Sequence, residues 1–143
     1  GEHLRLFLII RLYIGNGNDM KLREVNVENA ASIQFGQDDL VPVVVVDARL
    51  DPSLNRLGGL LMLGYANEQS IYITLDTRLA TFFSRSKQEI WTKGMTSGNL
   101  MTMMGVYTDC DTDAVVYDVI APEQTCHTGA FSCFELPTIG ELT

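Results

Sequence analysis

The sequence predicts a single α+β domain with a small, mostly antiparallel β-sheet and one main helix. Short runs of β-branched and apolar residues recur along the chain, and only one stretch carries apolar residues at helical spacing. The chain has 143 residues, of which 46% are hydrophobic. This suffices for one domain with its own core.

Residues 1–19 depart from this pattern. Residues 4–14 are apolar but contain Arg5 and Arg11, and they are too few to cross a membrane as a helix, which needs roughly 20 residues. No small-residue cleavage site follows, and residues 15–19 are typical of a turn. We therefore expect residues 1–19 to be an extension or an expression remnant, and residues 20–143 to form the domain.

The strands are predicted from composition and length. Residues 41–48 are rich in valine and favour a buried strand, residues 49–58 resemble a hairpin loop, and residues 59–66 favour a second apolar strand. Shorter strands are predicted at 81–84, 89–92, 100–107 and 112–120, with a last one at 134–136 after a loop-rich stretch.

One helix is predicted over residues 67–79. Asn67 can cap its first turn, where Glu68 suits the positive end of the helix dipole. Ile71, Leu75 and Leu79 then recur at helical spacing.

The net charge of −8 argues against a general nucleic-acid or acidic-membrane partner, since both need a positive field. A small anionic substrate remains compatible, because a few local Arg or Lys side chains can override the negative charge of the whole chain.

The three cysteines cannot form a complete set of disulfides. We therefore expect reduced thiols in a cytoplasmic protein.

Three aspartates surround Cys110. In an extended segment alternate side chains share a face, so Asp109, Asp111 and Asp113 are predicted to point one way and Cys110 the other. Three carboxylates repel one another unless a cation lies among them. Oxygen ligands suit Mg²⁺ or Ca²⁺, whereas a thiolate suits Zn²⁺. The pattern predicts two different cations on opposite faces of one strand, with a simply solvated acidic turn as the alternative.

Cys126 and Cys133 lie too far apart for a zinc ribbon. With Cys110 they offer three thiolates and leave a fourth position open, as in a catalytic zinc site. Buried, inert cysteines are the alternative. His127 is the only histidine of the predicted domain. It is our candidate for proton transfer, although a ligand or a surface role also fits.

The segment between residues 83 and 99 concentrates hydroxyl, glycine, basic and aromatic residues. Such turns bind phosphate through backbone N–H groups, hydroxyls and Arg or Lys. Trp91 fits either stacking on a base or, more simply, a core position. The predicted substrate-binding residues are Arg85, Lys87, Trp91, Lys93, Thr96, Ser97, Gly98 and Asn99.

Together these motifs resemble the phosphoribosyl-AMP cyclohydrolase family of histidine biosynthesis. They span roughly residues 41–134 in the family's order. The residues that carry the resemblance are Asn67-Glu68, Ser84-Arg85-Ser86, Trp91 with Lys93-Gly94 and Thr96-Ser97-Gly98-Asn99, Asp109-Cys110-Asp111 with Asp113-Ala114, and Cys126-His127-Thr128-Gly129 with Ser132-Cys133-Phe134.

The resemblance implies a hydrolase that opens the adenine ring of 1-(5-phosphoribosyl)-AMP between N1 and C6. It implies an intertwined homodimer with zinc and magnesium, in which both subunits contribute zinc ligands. The zinc thiolates would be Cys110, Cys126 and Cys133, and the magnesium carboxylates Asp109, Asp111 and Asp113. His127 would move protons, and Arg85, Lys87 and Lys93 are candidates to bind the two phosphates. No nucleic-acid or membrane partner is implied.

The chain departs from the family's pattern in four places. Met95 replaces a usual glutamate, Ala130-Phe131 replaces frequent basic residues, the loop at 49–57 is longer, and residues 1–19 have no counterpart. Met95 supports one alternative, a related zinc hydrolase or deaminase acting on another purine derivative. An inactive, zinc-stabilised dimer is the other alternative. We also expect no fused pyrophosphohydrolase domain.

Overall fold

A computed structural model describes residues 21–49 and 59–135. The predicted extension and nearly all of the predicted loop at 49–58 lie outside the described residues. The elements in chain order are β1 (Arg23–Glu24), a 3₁₀ turn (Ala30–Ser32), β2 (Val41–Asp47), β3 (Leu60–Ala66), α1 (Glu68–Thr77), β4 (Thr81–Ser84), β5 (Glu89–Thr92), β6 (Thr102–Thr108) and β7 (Val115–Ile120).

Five strands form one sheet in the order β1-β6-β7-β2-β3, and β4 and β5 form a separate hairpin. Every pair is antiparallel except β2 with β7. Along β2 the valines alternate between buried and half-buried positions, and Val43 and Val45 share one core with Ile71 of α1. Over residues 21–49 and 59–135, the structure confirms an α+β fold with one α-helix and a mostly antiparallel sheet.

The helix begins where the sequence predicted. The Asn67 side chain accepts a hydrogen bond from the Ser70 backbone N–H at 2.8 Å, and the Ser70 hydroxyl accepts one from the Asn67 N–H at 2.9 Å. This reciprocal pair is a capping box. The helix ends earlier than predicted because Arg78 adopts a left-handed conformation with φ 61°. Leu79 instead forms a β-bridge with Thr102.

Replacing Asn67 with alanine should lower the free energy of unfolding by about 1 kcal/mol, because the variant leaves a helix N–H without its cap. Urea unfolding measures this loss. Asn67→Asp is the matched control, since it keeps an acceptor oxygen and should remain within a few tenths of a kcal/mol of the parent. Equal losses in the two variants would contradict the capping role.

A buried cluster of hydroxyls joins the hairpin to the rest of the domain. The Tyr117 hydroxyl donates to the Thr81 carbonyl at 2.9 Å, and the Thr81 N–H donates to the Thr74 hydroxyl at 3.1 Å. Burial raises the pKa of Tyr117, so it stays a neutral donor. These bonds link β7, β4 and α1, and they fix the hairpin against the core.

Two strands begin two or more residues later than predicted, and the described residues of the last predicted strand, 134 and 135, are not extended. Strand β6 begins at Thr102 rather than at 100. Strand β7 begins at Val115 rather than at 112, because residues 109–114 form a turn in which Thr112 has φ 61°. Residues 134 and 135 also form a turn, closed by a 3.2 Å bond from the Glu135 N–H to the Ser132 carbonyl. Within the two described ranges, no helix is long and apolar enough to span a membrane.

Candidate functional site

A pocket of about 940 Å³ lies between the edge strand β3, the β4–β5 hairpin and the turn that follows it. Six of the eight predicted substrate-binding residues line this pocket, namely Arg85, Lys87, Trp91, Lys93, Thr96 and Ser97. Gly98 and Asn99 continue the same turn but are not among its lining residues. The hairpin brings these side chains together because its two strands pair in register from Thr81 and Thr92 to Ser84 and Glu89.

The pocket is positively charged although the chain is acidic. Arg85, Lys87 and Lys93 line it, against one carboxylate, that of Glu89. The chain as a whole has 10 basic and 18 acidic side chains. A local surplus of cations on this background indicates a site for an anion.

Trp91 packs against the core, one of the two predicted alternatives, and it also lines the pocket. Its ring stacks on Phe82 with the centroids 5.1 Å apart and an angle of 28° between the planes, and it packs against the core. It also lines the pocket, where Lys93 Nζ lies 5.8 Å from the ring centroid. The indole is therefore a wall of the pocket held rigid by the core.

The turn after β5 depends on a glycine at position 94. Gly94 has φ 88°, and a Cβ placed there would collide with the backbone carbonyl of Asn99. The Gly98 N–H closes the turn by donating to the Gly94 carbonyl at 2.8 Å. Gly98 also has a positive φ, of 83°, but a Cβ there would meet nothing within 4 Å.

This contrast gives a matched pair of variants. Gly94→Ala should lower the free energy of unfolding by about 2–4 kcal/mol, because it adds a backbone collision to an unfavourable φ. Gly98→Ala should lower it by only about 1 kcal/mol, since it has the φ strain alone. Urea unfolding of both variants checks this prediction, and equal losses would show that the collision is relieved without cost.

The cysteine-rich segment is a tight loop that begins at Thr125. The N–H groups of Thr125 and Cys126 donate to the Ala130 carbonyl at 3.2 and 3.0 Å, and the Gly129 N–H donates to the Cys126 carbonyl at 3.0 Å. The Thr128 hydroxyl donates to Cys126 Sγ at 3.1 Å. His127 is exposed, with Nδ1 4.0 Å from the same sulfur.

The thiols of Cys126 and Cys133 influence each other. Hydrogen bonds from the Thr128 hydroxyl and backbone lower the pKa of Cys126, with further help from Cys133 and Lys93. Burial and the neighbouring Cys126 raise the pKa of Cys133, although Lys93 opposes them. Cys126 is therefore the sulfur that ionises first. The sequence analysis gave no separate role to Thr128, whose hydroxyl contacts this sulfur.

The thiol pair adjoins the pocket. The Cys133 N–H donates to the Leu61 carbonyl at 2.8 Å, and the Ser132 hydroxyl donates to the Leu60 carbonyl at 2.8 Å. The next residues of the same strand line the pocket, and Lys93 both lines the pocket and acts electrostatically on the two thiols. A molecule in the pocket therefore lies close to the cysteine loop.

The aspartates converge, but for a different reason than predicted. One oxygen from each of Asp109, Asp111 and Asp113 lies within 4.8 Å of the others. The predicted strand alternation is wrong, because the segment turns. Asp109 Oδ1 accepts the backbone N–H groups of Asp113 and Ala114 at 3.1 and 3.2 Å. Cys110 is consequently an exposed residue of this turn and does not occupy the far face of a strand.

The shared charge of this acidic turn shifts its pKa values apart. Hydrogen bonding with Asp111, desolvation and the nearby charges raise the pKa of Asp113 to about 6. Desolvation raises the pKa of Asp109. Hydrogen bonds outweigh this effect and keep the pKa below the usual value of 3.8, and they come from the Ala114 and Asp113 backbone and from the neighbouring carboxyls. Such mutual repulsion is what a bound cation would relieve.

The three cysteines do not form one ligand group within a single chain. Among the described residues, the aspartate triplet is the only set of three or more His, Cys, Asp or Glu side chains with converging ligand atoms. Cys110 is thus apart from the Cys126 and Cys133 pair. A zinc site completed by a second subunit stays a prediction.

Known proteins match this chain over most of the described region. The model of the phosphoribosyl-AMP cyclohydrolase family matches residues 62–135. The phosphoribosyl-AMP cyclohydrolase of Archaeoglobus fulgidus is 41% identical over 102 residues, which cover 71% of this chain and 88% of that protein. The Chloroherpeton thalassium protein of the same name is 37% identical over 118 residues, or 82% and 74% of the two chains.

Longer relatives carry a second activity in their name. The histidine biosynthesis bifunctional protein HisIE of Thermus thermophilus is 47% identical over 104 residues, which cover 73% of this chain and 45% of that protein. The HisIE protein of Deinococcus radiodurans is 41% identical over 109 residues, 76% of this chain and 47% of that protein. The chain thus spans about half the length of these bifunctional relatives.

Proposed function

Because this chain belongs to the phosphoribosyl-AMP cyclohydrolase family of histidine biosynthesis, we propose that it hydrolyses the adenine ring of 1-(5-phosphoribosyl)-AMP between N1 and C6. The resemblance predicted from the motifs is confirmed by the family match. The observation that carries the activity is the cationic pocket beside the thiol pair of Cys126 and Cys133.

The pocket suits the proposed substrate in size and charge. Its volume of about 940 Å³ falls within the roughly 300–1,000 Å³ common for small-molecule sites. The substrate carries two phosphates, and the pocket offers Arg85, Lys87 and Lys93 as cations with the hydroxyls of Thr96 and Ser97 beside them. Trp91 offers an indole wall against which a purine can pack.

We propose that Cys126 and Cys133 hold zinc together with Cys110 of a second subunit. Adjacent sulfurs, one of them with a lowered pKa, are donors that suit Zn²⁺. Cys110 is exposed on its turn and carries no disulfide, so it is accessible to another chain. This arrangement supports an intertwined homodimer, and reduced thiols suit a cytoplasmic enzyme. Zinc there would act as a Lewis acid and lower the pKa of a water molecule.

We propose Mg²⁺ as the partner of Asp109, Asp111 and Asp113. Clustered carboxylate oxygens are the donors that this ion prefers, and their mutual repulsion supports a cation among them. Magnesium usually keeps several water ligands and contacts substrate phosphates. The aspartate turn would therefore help to bind a phosphate of the substrate.

In the proposed reaction both protons leave the attacking water, because its oxygen becomes the carboxamide oxygen. One proton goes to N1, and the other stays on the amidine, which then carries the positive charge of the substrate. Alkylation at N1 makes the adenine ring cationic, so C6 accepts a water oxygen. The C6–N1 bond then breaks, C6 becomes a carboxamide carbon, and N1 leaves as an amidine nitrogen. His127 is exposed beside Cys126, and we assign to it the transfer of the water proton to the departing N1. The Thr128 hydroxyl keeps the Cys126 sulfur in position.

Met95 favours a second candidate function. It lines the pocket with 69% of its surface exposed, at the position where the family usually has glutamate. An apolar side chain there suits a less charged purine, so a zinc hydrolase or deaminase for another purine derivative is the alternative. An inactive, zinc-stabilised dimer is a third possibility, which the assembled pocket and His127 disfavour.

Two measurements separate these functions. Expression of the chain in a bacterial histidine auxotroph that lacks its cyclohydrolase should restore growth without histidine. Ammonia release from adenosine and AMP should stay at background. Ammonia release without rescue of growth would identify the deaminase. The absence of both rescue and ammonia release would identify the inactive dimer.

A further inference from the structure

One contact in the pocket joins two elements that the sequence keeps apart. Arg85 Cζ lies over the ring of Tyr65, 3.8 Å from its centroid. Tyr65 belongs to β3, and Arg85 is the first residue after β4. Both residues line the pocket. The packing of the hairpin beside the sheet edge therefore places the guanidinium over an aromatic ring in the wall of the pocket.

No described residue neutralises the Arg85 guanidinium or occupies its N–H donors. Within the described ranges, no carboxylate pairs with it, and its N–H groups have no hydrogen-bond acceptor. Its backbone is held instead, because Gln88 Nε2 donates to the Arg85 carbonyl at 2.7 Å. A backbone that is held in place and a guanidinium with no described carboxylate partner suit a residue that binds an anion.

A second arginine of the chain shows the contrast. The guanidinium of Arg49 is fixed by the carboxylate of Asp47, with N–O distances of 3.1 Å, so much of its charge is neutralised. Arg85 is fixed by a neutral ring, which leaves its charge available. A cation–π contact also uses none of the N–H donors in a salt bridge, so the guanidinium can bind two phosphate oxygens at once.

We infer that Tyr65 is a positioning residue, which holds the Arg85 guanidinium over the pocket so that it binds one phosphate of the substrate. This inference rests on the proposed function, because it takes its phosphate from 1-(5-phosphoribosyl)-AMP. Arginine has many rotamers in water, and an aromatic face beneath it reduces the freedom that is lost when a phosphate binds. Lys87 and Lys93 lack the planar fork and serve as point charges.

Replacement of the ring should weaken phosphate binding and leave the chemical step alone. Tyr65→Leu should raise KM about 5-fold, the size of an exposed cation–π contact, with kcat and the melting temperature close to the parent. Tyr65→Phe should restore KM, because it keeps the ring. Tyr72→Leu is the matched control, since Tyr72 lies on α1 and lines a different groove.

Two simpler ligands identify the phosphate without turnover. AMP carries the adenylate phosphate, and ribose 5-phosphate stands for the phosphoribosyl phosphate. Calorimetry with Tyr65→Leu should show about 5-fold weaker binding of one of them, and the affected ligand identifies the phosphate held by Arg85. Adenosine, which lacks a phosphate, should bind the parent and the variant equally.

A double variant tests whether Tyr65 acts through Arg85. In the Arg85→Gln background, Tyr65→Leu should cause no further loss of phosphate binding. An additional loss there, or unchanged KM and phosphate affinities in Tyr65→Leu alone, would overturn the inference.

If Tyr65→Leu folds poorly, Tyr65→Met serves in its place, because methionine fills the apolar space with a more flexible side chain. A parent protein that binds AMP through this pair but does not turn over the proposed substrate would refute the proposed function and leave the inference intact.

Discussion

Cys126→Ala should lower kcat/KM for 1-(5-phosphoribosyl)-AMP by more than about 100-fold, because it removes a proposed zinc ligand. Loss of a residue that only contacts a metal ligand costs roughly 10–100-fold. The purified variant should also lose zinc, as measured by metal analysis. Its free energy of unfolding tests the fold, since the loop has its own backbone bonds to Ala130. Full activity in a zinc-free variant would exclude the metal mechanism.

Thr128→Val should reduce activity less than Cys126→Ala. It removes the hydroxyl that donates to Cys126 Sγ at 3.1 Å but keeps the sulfur. Activity should therefore fall less than in Cys126→Ala, within the roughly 10–100-fold range of outer contacts. If Thr128→Val were as damaging as Cys126→Ala, the sulfur would not be the group that matters.

Subunit mixing tests the shared zinc site. Cys110→Ala and Cys126→Ala should each be inactive alone. In a mixed dimer, one of the two sites would combine the intact Cys110 of one chain with the intact Cys126 of the other. Unfolding and refolding an equal mixture should restore activity, because random pairing makes mixed dimers. No recovery from a mixture that refolds to dimers would place all the zinc ligands within one subunit.

Asp111→Asn should raise the Mg²⁺ concentration needed for half-maximal activity about 10-fold or more, because the affinity of an oxygen site follows the charge of its ligands. Asp111 is the best choice in the triplet, since Asp109 also accepts two backbone N–H groups of the turn. Without divalent cations the variant should be at least as stable as the parent, because the substitution relieves repulsion in the triplet.

A titration of activity with MgCl₂ measures this effect. Asp76→Asn is the matched control, because Asp76 lies on α1 beside a different groove. The control should keep the parent's Mg²⁺ requirement. An unchanged requirement in Asp111→Asn would show that the acidic turn is only solvated, the alternative that the sequence left open.

The sequence predicted those parts of the fold that depend on residues close together in the chain. Valine alternation in β2, the cap at Asn67 and the short hairpin strands are properties of neighbouring residues, and each appears near the expected place. The end of the helix and the turn at residues 109–114 were missed. Both depend on residues other than glycine, Arg78 and Thr112, that adopt a left-handed conformation, which their residue types disfavour.

The sequence predicted six residues that line the pocket, but it did not predict the contacts that hold the pocket residues and the thiols in place. The motifs identified the basic pocket residues and the thiols, because these types carry the chemistry. The hydrogen bond from Thr128 to Cys126 depends on the fold of the cysteine loop. The contact of Tyr65 with Arg85 joins β3 to the turn after β4, and these pack together only in the folded chain. Periodicity carries no information on such contacts.

Steady-state turnover of 1-(5-phosphoribosyl)-AMP, followed by the absorbance change on ring opening, tests the central claim most directly. The purified chain with zinc and magnesium should convert the substrate with a kcat in the range of about 1–1,000 s⁻¹ typical of enzymes. Activity should disappear when a chelator removes the metals and return when both are restored. Absence of turnover by a folded, zinc-loaded protein would contradict the account.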